Sequence, residues 1–246
     1  MQQKKSMTPP GSPWPAPPAG RLGVTTLLSA TILLVAPARV LADAGMVAGG
    51  VGAHAHPRAT VVLAEFPRDP ARLLPDVRPI APQIIARHGL EEWKATVLTS
   101  ELHRHLGTYS IVGAKMGLRA RDRLNVPLDE LRVESHAGLE PPLSCVNDGL
   151  QVATGASLGR GTITISTNLP SACAAVFSYG ERHLRLRLKP EFAQRIASDM
   201  AALHKKHGDT TPAYFQDVRR VSLQHWLNFD RNTMFEEMEE TTITKP

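Results

Sequence analysis

The chain has 246 residues, of which 42% are apolar and 21% charged, and its formal net charge is +5. This length and apolar content are sufficient for one main folded domain. Four basic residues (Lys4, Lys5, Arg21 and Arg39) lie in the first 42 residues, which contain no acidic residue. Removing these four from the 28 basic residues leaves 24 against 23 acidic ones, so the charge gives no reason to expect nucleic-acid binding.

The first 42 residues have the pattern of a secretory signal peptide. An uncharged apolar run, Leu22–Val35, follows a basic segment and precedes small residues that allow cleavage after Ala42 or Ala44. The run is shorter than the roughly 18 residues expected of a spanning helix, although an uncleaved anchor remains the alternative. The proline-rich stretch before it leaves open a start at Met7 or later. We therefore expect an exported protein, periplasmic or secreted, with no stable membrane span after cleavage.

A spacer rich in glycine and alanine, residues 43–58, follows the leader and is interpreted as a flexible link. His54 and His56 lie in it, but nothing downstream organises them into a metal site. Residues 59–66 (ATVVLAEF) are interpreted as a strand, and the five prolines between residues 67 and 82 predict an irregular crossing.

Helical periodicity and strand alternation then predict the remaining elements. The predicted helices, several of them bounded by proline or glycine, cover residues 79–88, 90–102, 108–124, 147–155, 190–208 and 211–230. The predicted strands cover residues 131–138 and 161–167, followed by a hairpin over 172–190 that turns at Gly180 and Glu181. This order favours an α+β fold in which an antiparallel sheet packs against helices. We expect one main domain at 59–190, a helical C-terminal extension at 191–235 and a frayed acidic tail at 236–246.

Two glycines, Gly113 and Gly117, interrupt the helix predicted over residues 108–124. Each costs about 1 kcal/mol relative to alanine inside a helix, so their presence predicts close packing of another element there.

The stretch LTSELHRHLGTYSIVGAKMG places His103 and His105 just before this helix. Inside one α-helix the two side chains would lie about 200° apart around the axis, but they can converge from an irregular turn at residues 102–107. Their imidazoles suit zinc, iron, nickel or copper, and a third ligand is needed. Cys145 precedes a predicted helix start at Asn147 or Asp148, where the helix N-terminus is expected to favour the thiolate.

Two motifs resemble those of the FmdE-like family, which takes its name from a component of formylmethanofuran dehydrogenase. That family has a first motif of the form FHGHLGPxxxxGxRMG, and a second with a cysteine six residues ahead of the glutamine in DxxQxxTGxTxGKGN. The first is matched here by His103, His105, Leu106, Gly107, Gly113, Met116 and Gly117. The second is matched by Cys145, Asp148, Gln151, Thr154, Gly155, Gly159 and Gly161, with Arg160 in the lysine position. The resemblance runs from about Leu98 to Pro190.

The resemblance implies a compact α+β domain with a metal site between the two motifs and His103, His105 and Cys145 as ligands. Zinc is the metal we expect, with iron or nickel as alternatives. Asp148 and Gln151 are expected one helical turn apart, where they would orient a ligand histidine or a bound water; the alternative is a helix cap and a surface amide.

The chain also departs from the family pattern. Many members have a cysteine where this chain has Gly107, and Arg104 replaces a small residue between the histidines. His136 is a possible replacement ligand, with an ordinary strand residue as the alternative. No cysteine follows Cys173, so a C-terminal zinc ribbon is not expected. The loop TGASLGRG at residues 154–161 is a possible anion cradle, although its form is not a phosphate-binding motif.

Three functions follow as expectations. The redox chemistry of the formylmethanofuran dehydrogenase complex depends on molybdenum or tungsten pterin and iron–sulfur proteins, so we expect an accessory or small-molecule-binding role, with Gly113 and Gly117 lining the pocket. The alternative is a metal-dependent enzyme with an open coordination position and Asp148 or Glu134 as proton acceptor. A third possibility is thiol chemistry at Cys145, alone or paired with Cys173. A homodimer is compatible with all three.

Overall fold

The computed structural model describes residues 63, 65–167, 171–208 and 211–241, all within one unit that starts at Gly52. The described helices are α1 Ala81–His88, α2 Leu90–His103, α3 Thr108–Leu124, α4 Val146–Thr154, α5 Pro190–His207 and α6 Pro212–Asn228. The described strands are β1 Arg132–Ser135, β2 Ile163–Ile165, β3 Ala174–Tyr179, β4 Arg182–Leu188 and β5 Phe235–Thr241. No helix in these ranges is long and apolar enough to cross a membrane.

Local capping signals account for the helix boundaries, which agree with the predicted ones. Gly89 separates α1 from α2 with φ of 87°, and Gly155 ends α4 with φ of 76°, conformations that favour glycine. Proline occupies the first position of both α5 and α6. The signal peptide and spacer predictions lie outside the described residues, as does most of the strand predicted at 59–66.

The five strands form one mixed sheet in the order β2-β1-β3-β4-β5. Only β1 and β2 are parallel, and the other three pairings are antiparallel, which confirms the predicted α+β class. In β4, three leucines at alternate positions are buried, while Arg185 and Arg187 between them are exposed. The leucines join the largest apolar core, so one face of the sheet packs against helices.

The acidic tail was predicted to fray, and this prediction is wrong. Residues 235–241 form β5, which pairs antiparallel with β4 from Phe235 opposite Leu188 to Thr241 opposite Arg182. Ion pairs hold its carboxylates: Glu237 bonds Arg119 at 2.6 Å, and Glu239 bonds Arg182 at 2.7 Å. The strand is therefore stabilised by partners distant in sequence, while its own sequence lacks apolar alternation.

Helix α3 is the centre of the domain, because it is buried along most of its length. Its row Val112, Met116, Ala120 and Leu124, spaced four residues apart, contributes to the core that includes the sheet. Ile111 belongs to a second core with the stacked pair Trp93 and Trp226, whose ring centroids are 5.2 Å apart. These contacts fix both ends of α3 and hence the turn that precedes it.

Close packing of α3 against α4 explains the helix glycines. A Cβ on Gly113 would lie 2.1 Å from the carbonyl oxygen of Val146, and one on Gly117 would lie 2.8 Å from Cβ of Ala153. Gly149 of α4 answers them, because its Cβ would lie 2.2 Å from the carbonyl oxygen of Ser110. The predicted close approach is confirmed. The expectation that Gly113 and Gly117 line a small-molecule pocket is wrong, because α4 fills that space.

A buried charge network ties α2 and α3 to the segment after α6. Lys115 is fully buried, bonds the carboxylate of Glu92 and donates to the carbonyl of Phe229 at 2.7 Å. Arg231 donates to the other oxygen of Glu92 at 3.0 Å. Burial lowers the pKa of Lys115, and the charge of Glu92 opposes this shift. The C-terminal segment is thus anchored to the helices that carry the histidine motif.

Candidate functional site

The two histidines of the first motif come together at the turn between α2 and α3. His103 is the last residue of α2, and Arg104 after it adopts a left-handed conformation with φ of 64°. This conformation breaks the helical spacing and brings the rings of His103 and His105 to a centroid distance of 4.2 Å. A left-handed backbone is uncommon for a residue other than glycine, and such conformations concentrate at functional sites.

His103 has one ring nitrogen paired and the other free. Its Nδ1 lies 2.6 Å from Oδ2 of Asp148, in the first turn of α4. Because a carboxylate only accepts, Nδ1 carries the proton and Nε2 presents a lone pair. That Nε2 is buried and has no hydrogen-bond partner. A buried polar atom without a partner costs about 1–3 kcal/mol, so its retention points to a ligand.

Gly107 borders both imidazoles and leaves a gap between them. A Cβ built on Gly107 would lie 3.0 Å from Nε2 of His105 and 3.6 Å from Nε2 of His103. The two Nε2 atoms therefore approach the same small space, and a side chain at position 107 would fill it. A carboxylate-oriented histidine, a second imidazole and a free space between their Nε2 atoms fit a transition-metal ion.

His105 forms the exposed border of this site, next to Phe215 of α6. The two rings meet edge to face with a centroid distance of 6.1 Å, and Phe215 is 46% exposed. Desolvation of the ring and the neighbouring His103 lower the pKa of His105, and Asp148 opposes them. The neutral imidazole that metals bind is thereby favoured. An apolar surface thus adjoins the accessible histidine.

Cys145 stands at the N-terminus of α4 and does not behave as predicted. Burial, and then the negative charge of Asp148, raise the pKa of its thiol, so the expected stabilisation of the thiolate by the helix N-terminus is outweighed. Both Cys145 and Cys173 are free thiols, and burial raises the pKa of Cys173 to about 12. No three His, Cys, Asp or Glu side chains of the described residues form a group that could hold a metal. The role of Cys145 as third ligand stays a prediction.

The sequence matches a family model at residues 102–240, more than half of the chain; the model is described as FmdE, molybdenum formylmethanofuran dehydrogenase operon. The chain belongs to the FmdE family. The matched range takes in both motifs, and also α5, α6 and most of β5, beyond the part of the chain in which the motifs were found.

Other comparisons add little to the FmdE assignment. Among solved structures, one match is an FmdE-like protein of tungsten formylmethanofuran dehydrogenase from Syntrophus aciditrophicus. It has 13% sequence identity and a TM-score of 0.36, and the match covers 62% of this chain and 73% of that one. No curated protein sequence matches the chain.

The other predicted site residues of this FmdE-family chain lie apart from the histidine pair in their contacts. Gln151 accepts from the backbone N–H of Leu158 at 3.4 Å. His136 is buried, and its Nε2 lies 3.5 Å from Glu134 on β1. Of the residues expected to orient a ligand or accept a proton, only Asp148 contacts a histidine of the pair.

The loop at residues 154–161 is closed by its own contacts. Arg160, in the family's lysine position, donates to Oδ1 of Asp129 at 2.7 Å and to the carbonyl of Gly155 at 3.0 Å. A carboxylate already pairs with the guanidinium, so the contacts favour a structural role for the loop over anion binding.

Sequence reasoning missed several residues near the histidine turn that come from α5 and α6. They are Asp199, Phe215, Ser222 and His225, together with their partner Thr108. The helical pattern predicted the helices that carry them, but no local signal indicates which side chains dock against the start of α3.

Proposed function

We propose that this chain is an exported metal-binding member of the FmdE family with an accessory or small-molecule-binding role. In this proposal His103 and His105 bind a transition metal, zinc before iron or nickel, and Cys145 is the third ligand. The observation that carries it is the buried, unpartnered Nε2 of His103, held by Asp148 on one side and facing the gap at Gly107 that Nε2 of His105 also faces. Asp148 fixes the proton of His103 on Nδ1, as outer partners of metal ligands do.

The second candidate is an enzyme, and the exposure of His105 favours it. Three protein ligands leave a tetrahedral metal one open position, which supplies Lewis-acid chemistry or an activated water when the metal is bound. Phe215 offers an apolar surface beside His105, where the apolar part of a small substrate can rest. In this version Asp148 orients His103; Glu134, the other predicted proton acceptor, contacts His136 instead.

Elemental analysis of the full chain, produced by export and purified without a metal-affinity tag, tests the shared premise. We expect close to one metal ion per chain in the parent and loss of the metal in His105→Ala and Cys145→Ala. His183→Ala is the control, because His183 bonds Ser178 within the sheet and should leave the metal content unchanged. A parent that holds no metal after reduction and reconstitution with zinc would refute the proposal.

The same sample tests export. N-terminal sequencing should find Asp43 or Gly45 as the first residue, because cleavage is expected after Ala42 or Ala44. A mature chain that retains the apolar run of residues 22–35 would replace the cleaved signal peptide with the anchor alternative. Whether the chain is a homodimer can be measured on the same material by light scattering.

A further inference from the structure

A buried chain of hydrogen bonds joins three helices at the start of α3. Nε2 of His225 lies 2.9 Å from Oδ2 of Asp199, and Nδ1 of His225 lies 2.9 Å from Oγ1 of Thr108. Oγ1 of Thr108 lies 3.0 Å from Oγ of Ser222. Thr108, Ser222 and His225 are each at most 4% exposed. The network links α5, α6 and the first residue of α3.

The direction of these hydrogen bonds follows from the acceptor at one end. The Asp199 carboxylate only accepts, so Nε2 of His225 donates, and Nδ1 of the neutral ring accepts from the Thr108 hydroxyl. The Thr108 oxygen can then accept from Ser222. Burial lowers the pKa of His225 against the opposing effect of Asp199, which agrees with a neutral ring. Each of these polar groups therefore has a partner.

A hydroxyl, an imidazole and a carboxylate in this order also occur in nucleophilic enzymes. Thr108 does not suit that role, because it is buried and its hydroxyl is engaged by both His225 and Ser222. A substrate has no access to it. The effect of the network is to fix the position of Thr108.

Fixing Thr108 also fixes Gly107, the residue that borders both histidines of the candidate site. The carbonyl of Gly107 accepts from the Ser110 hydroxyl at 2.9 Å and from the N–H of Ile111 at 3.2 Å, so the residue is held on both sides of its peptide. A movement of Thr108 shifts Gly107 against the Nε2 atoms of His103 and His105, which lie 3.6 Å and 3.0 Å from the position of its absent Cβ.

We propose that His225 is a positioning residue: through Thr108 it holds Gly107 in place and so sets the gap between the two imidazoles in which a metal binds. This inference rests on the proposed metal-binding function. It makes α5 and α6 part of the site, because Asp199 and His225 act on the histidine pair through contacts that the two motifs do not contain.

The test compares metal affinity and coordination in the full chain. Thr108→Val removes the hydroxyl and keeps the shape of the side chain, whereas Thr108→Ser keeps the hydroxyl. Asp199→Ala removes the carboxylate that orients His225 at a partly exposed position and serves as a second variant if Thr108→Val does not fold. His207→Ala is the matched control, because it breaks another histidine–aspartate bond between α5 and α6, from His207 to Asp217 at 2.7 Å.

Zinc affinity is measured by calorimetry, and the visible spectrum of bound Co(II) reports the coordination geometry. We expect Thr108→Val and Asp199→Ala to bind zinc roughly 10–100-fold more weakly and to change the Co(II) spectrum, as loss of an outer partner does. Thr108→Ser and His207→Ala should match the parent. The near-ultraviolet circular dichroism of the Trp93 and Trp226 pair checks that each variant is folded.

The outcomes separate this inference from the function on which it rests. Equal affinity and equal Co(II) spectra in the parent and in the folded Thr108→Val or Asp199→Ala overturn the positioning role and leave the metal site intact. An equal loss of affinity in His207→Ala also overturns it, because general loosening of α5 and α6 would then be the cause. A parent that binds neither zinc nor Co(II) overturns both proposals.

Discussion

Two histidine–aspartate pairs lie next to the start of α3, and they differ in the use of the second ring nitrogen. His225 donates to Asp199 through Nε2, and its Nδ1 accepts from Thr108. His103 donates to Asp148 through Nδ1, and its Nε2 is buried without a partner. The first pair is complete within the protein, whereas the second leaves one buried nitrogen that costs about 1–3 kcal/mol until a ligand binds it.

This difference separates a structural pair from a candidate ligand. A carboxylate bonded to an imidazole is common to both, so the pairing alone does not identify a metal site. The free nitrogen does, together with the space beside it: Gly107 leaves a gap at Nε2 of His103, while a hydroxyl occupies the corresponding side of His225. The two pairs are connected through Gly107 and Thr108, which are adjacent in the chain.

The largest effect is expected from filling the gap. Gly107→Ala places a methyl group 3.0 Å from Nε2 of His105 and should weaken zinc binding by more than roughly 100-fold, beyond the loss of an outer partner. Gly107 has φ of −118°, which alanine adopts without strain, so the variant should fold. Calorimetric titration with zinc measures the loss.

The control for this substitution is Gly159→Ala, because a Cβ on Gly159 meets no atom within 4 Å. It should bind zinc like the parent. If Gly107→Ala also bound zinc with unchanged affinity, the metal would not lie between the two Nε2 atoms, and the contrast between the two pairs would lose its functional meaning.

A smaller effect is expected when the partner of His103 is removed. Asp148→Ala leaves Nδ1 without its acceptor and should lower zinc affinity roughly 10–100-fold. Gln151→Ala should leave the affinity unchanged, because Gln151 contacts Leu158 and not a histidine of the pair. The two residues were grouped by sequence, so titration of both variants sharpens the assignment. Similar losses in both would contradict the geometry.

The fold was predictable from sequence wherever local signals decide it. The bounds of α1, α4 and α5 follow from glycines and prolines, whose backbone preferences act within one turn. Strand β5 was missed because its residues 236–239 are all exposed, so no alternation marks them. Its stability comes from the backbone of β4 and from arginines that lie far away in the sequence.

The site was predictable to a similar extent. The motif spacing placed His103 and His105 at a turn, and it placed Asp148 near them. The free nitrogen of His103 and the network through His225 depend on how α4, α5 and α6 dock on α3, and a single sequence does not specify that docking. The motifs identify the residues, whereas the packing shows which of their nitrogen atoms is free.

The smallest expected effect is the pH dependence of stability in metal-free protein. Burial is the leading cause that lowers the pKa of His88 and of His225, and desolvation does the same for His105. Their folded pKa values lie below the ordinary value of about 6.5. Below that pH the unfolded chain binds more protons than the folded one, so stability falls as the pH decreases and is fully present above it.

Urea unfolding at pH 7.5 and pH 5.5, in the presence of a chelator, should therefore give a lower midpoint at pH 5.5. Asp199 and Asp217 do not produce this slope: their hydrogen-bonded partners lower their pKa values, and for Asp199 this outweighs desolvation, so they lose their stabilising charge only at pH values below 3.8. His225→Gln should reduce the slope, because one histidine that resists protonation is gone. An unchanged slope in this variant would mean that His225 is protonated equally in the folded and unfolded chain, and the neutral ring that accepts from Thr108 would have to be abandoned.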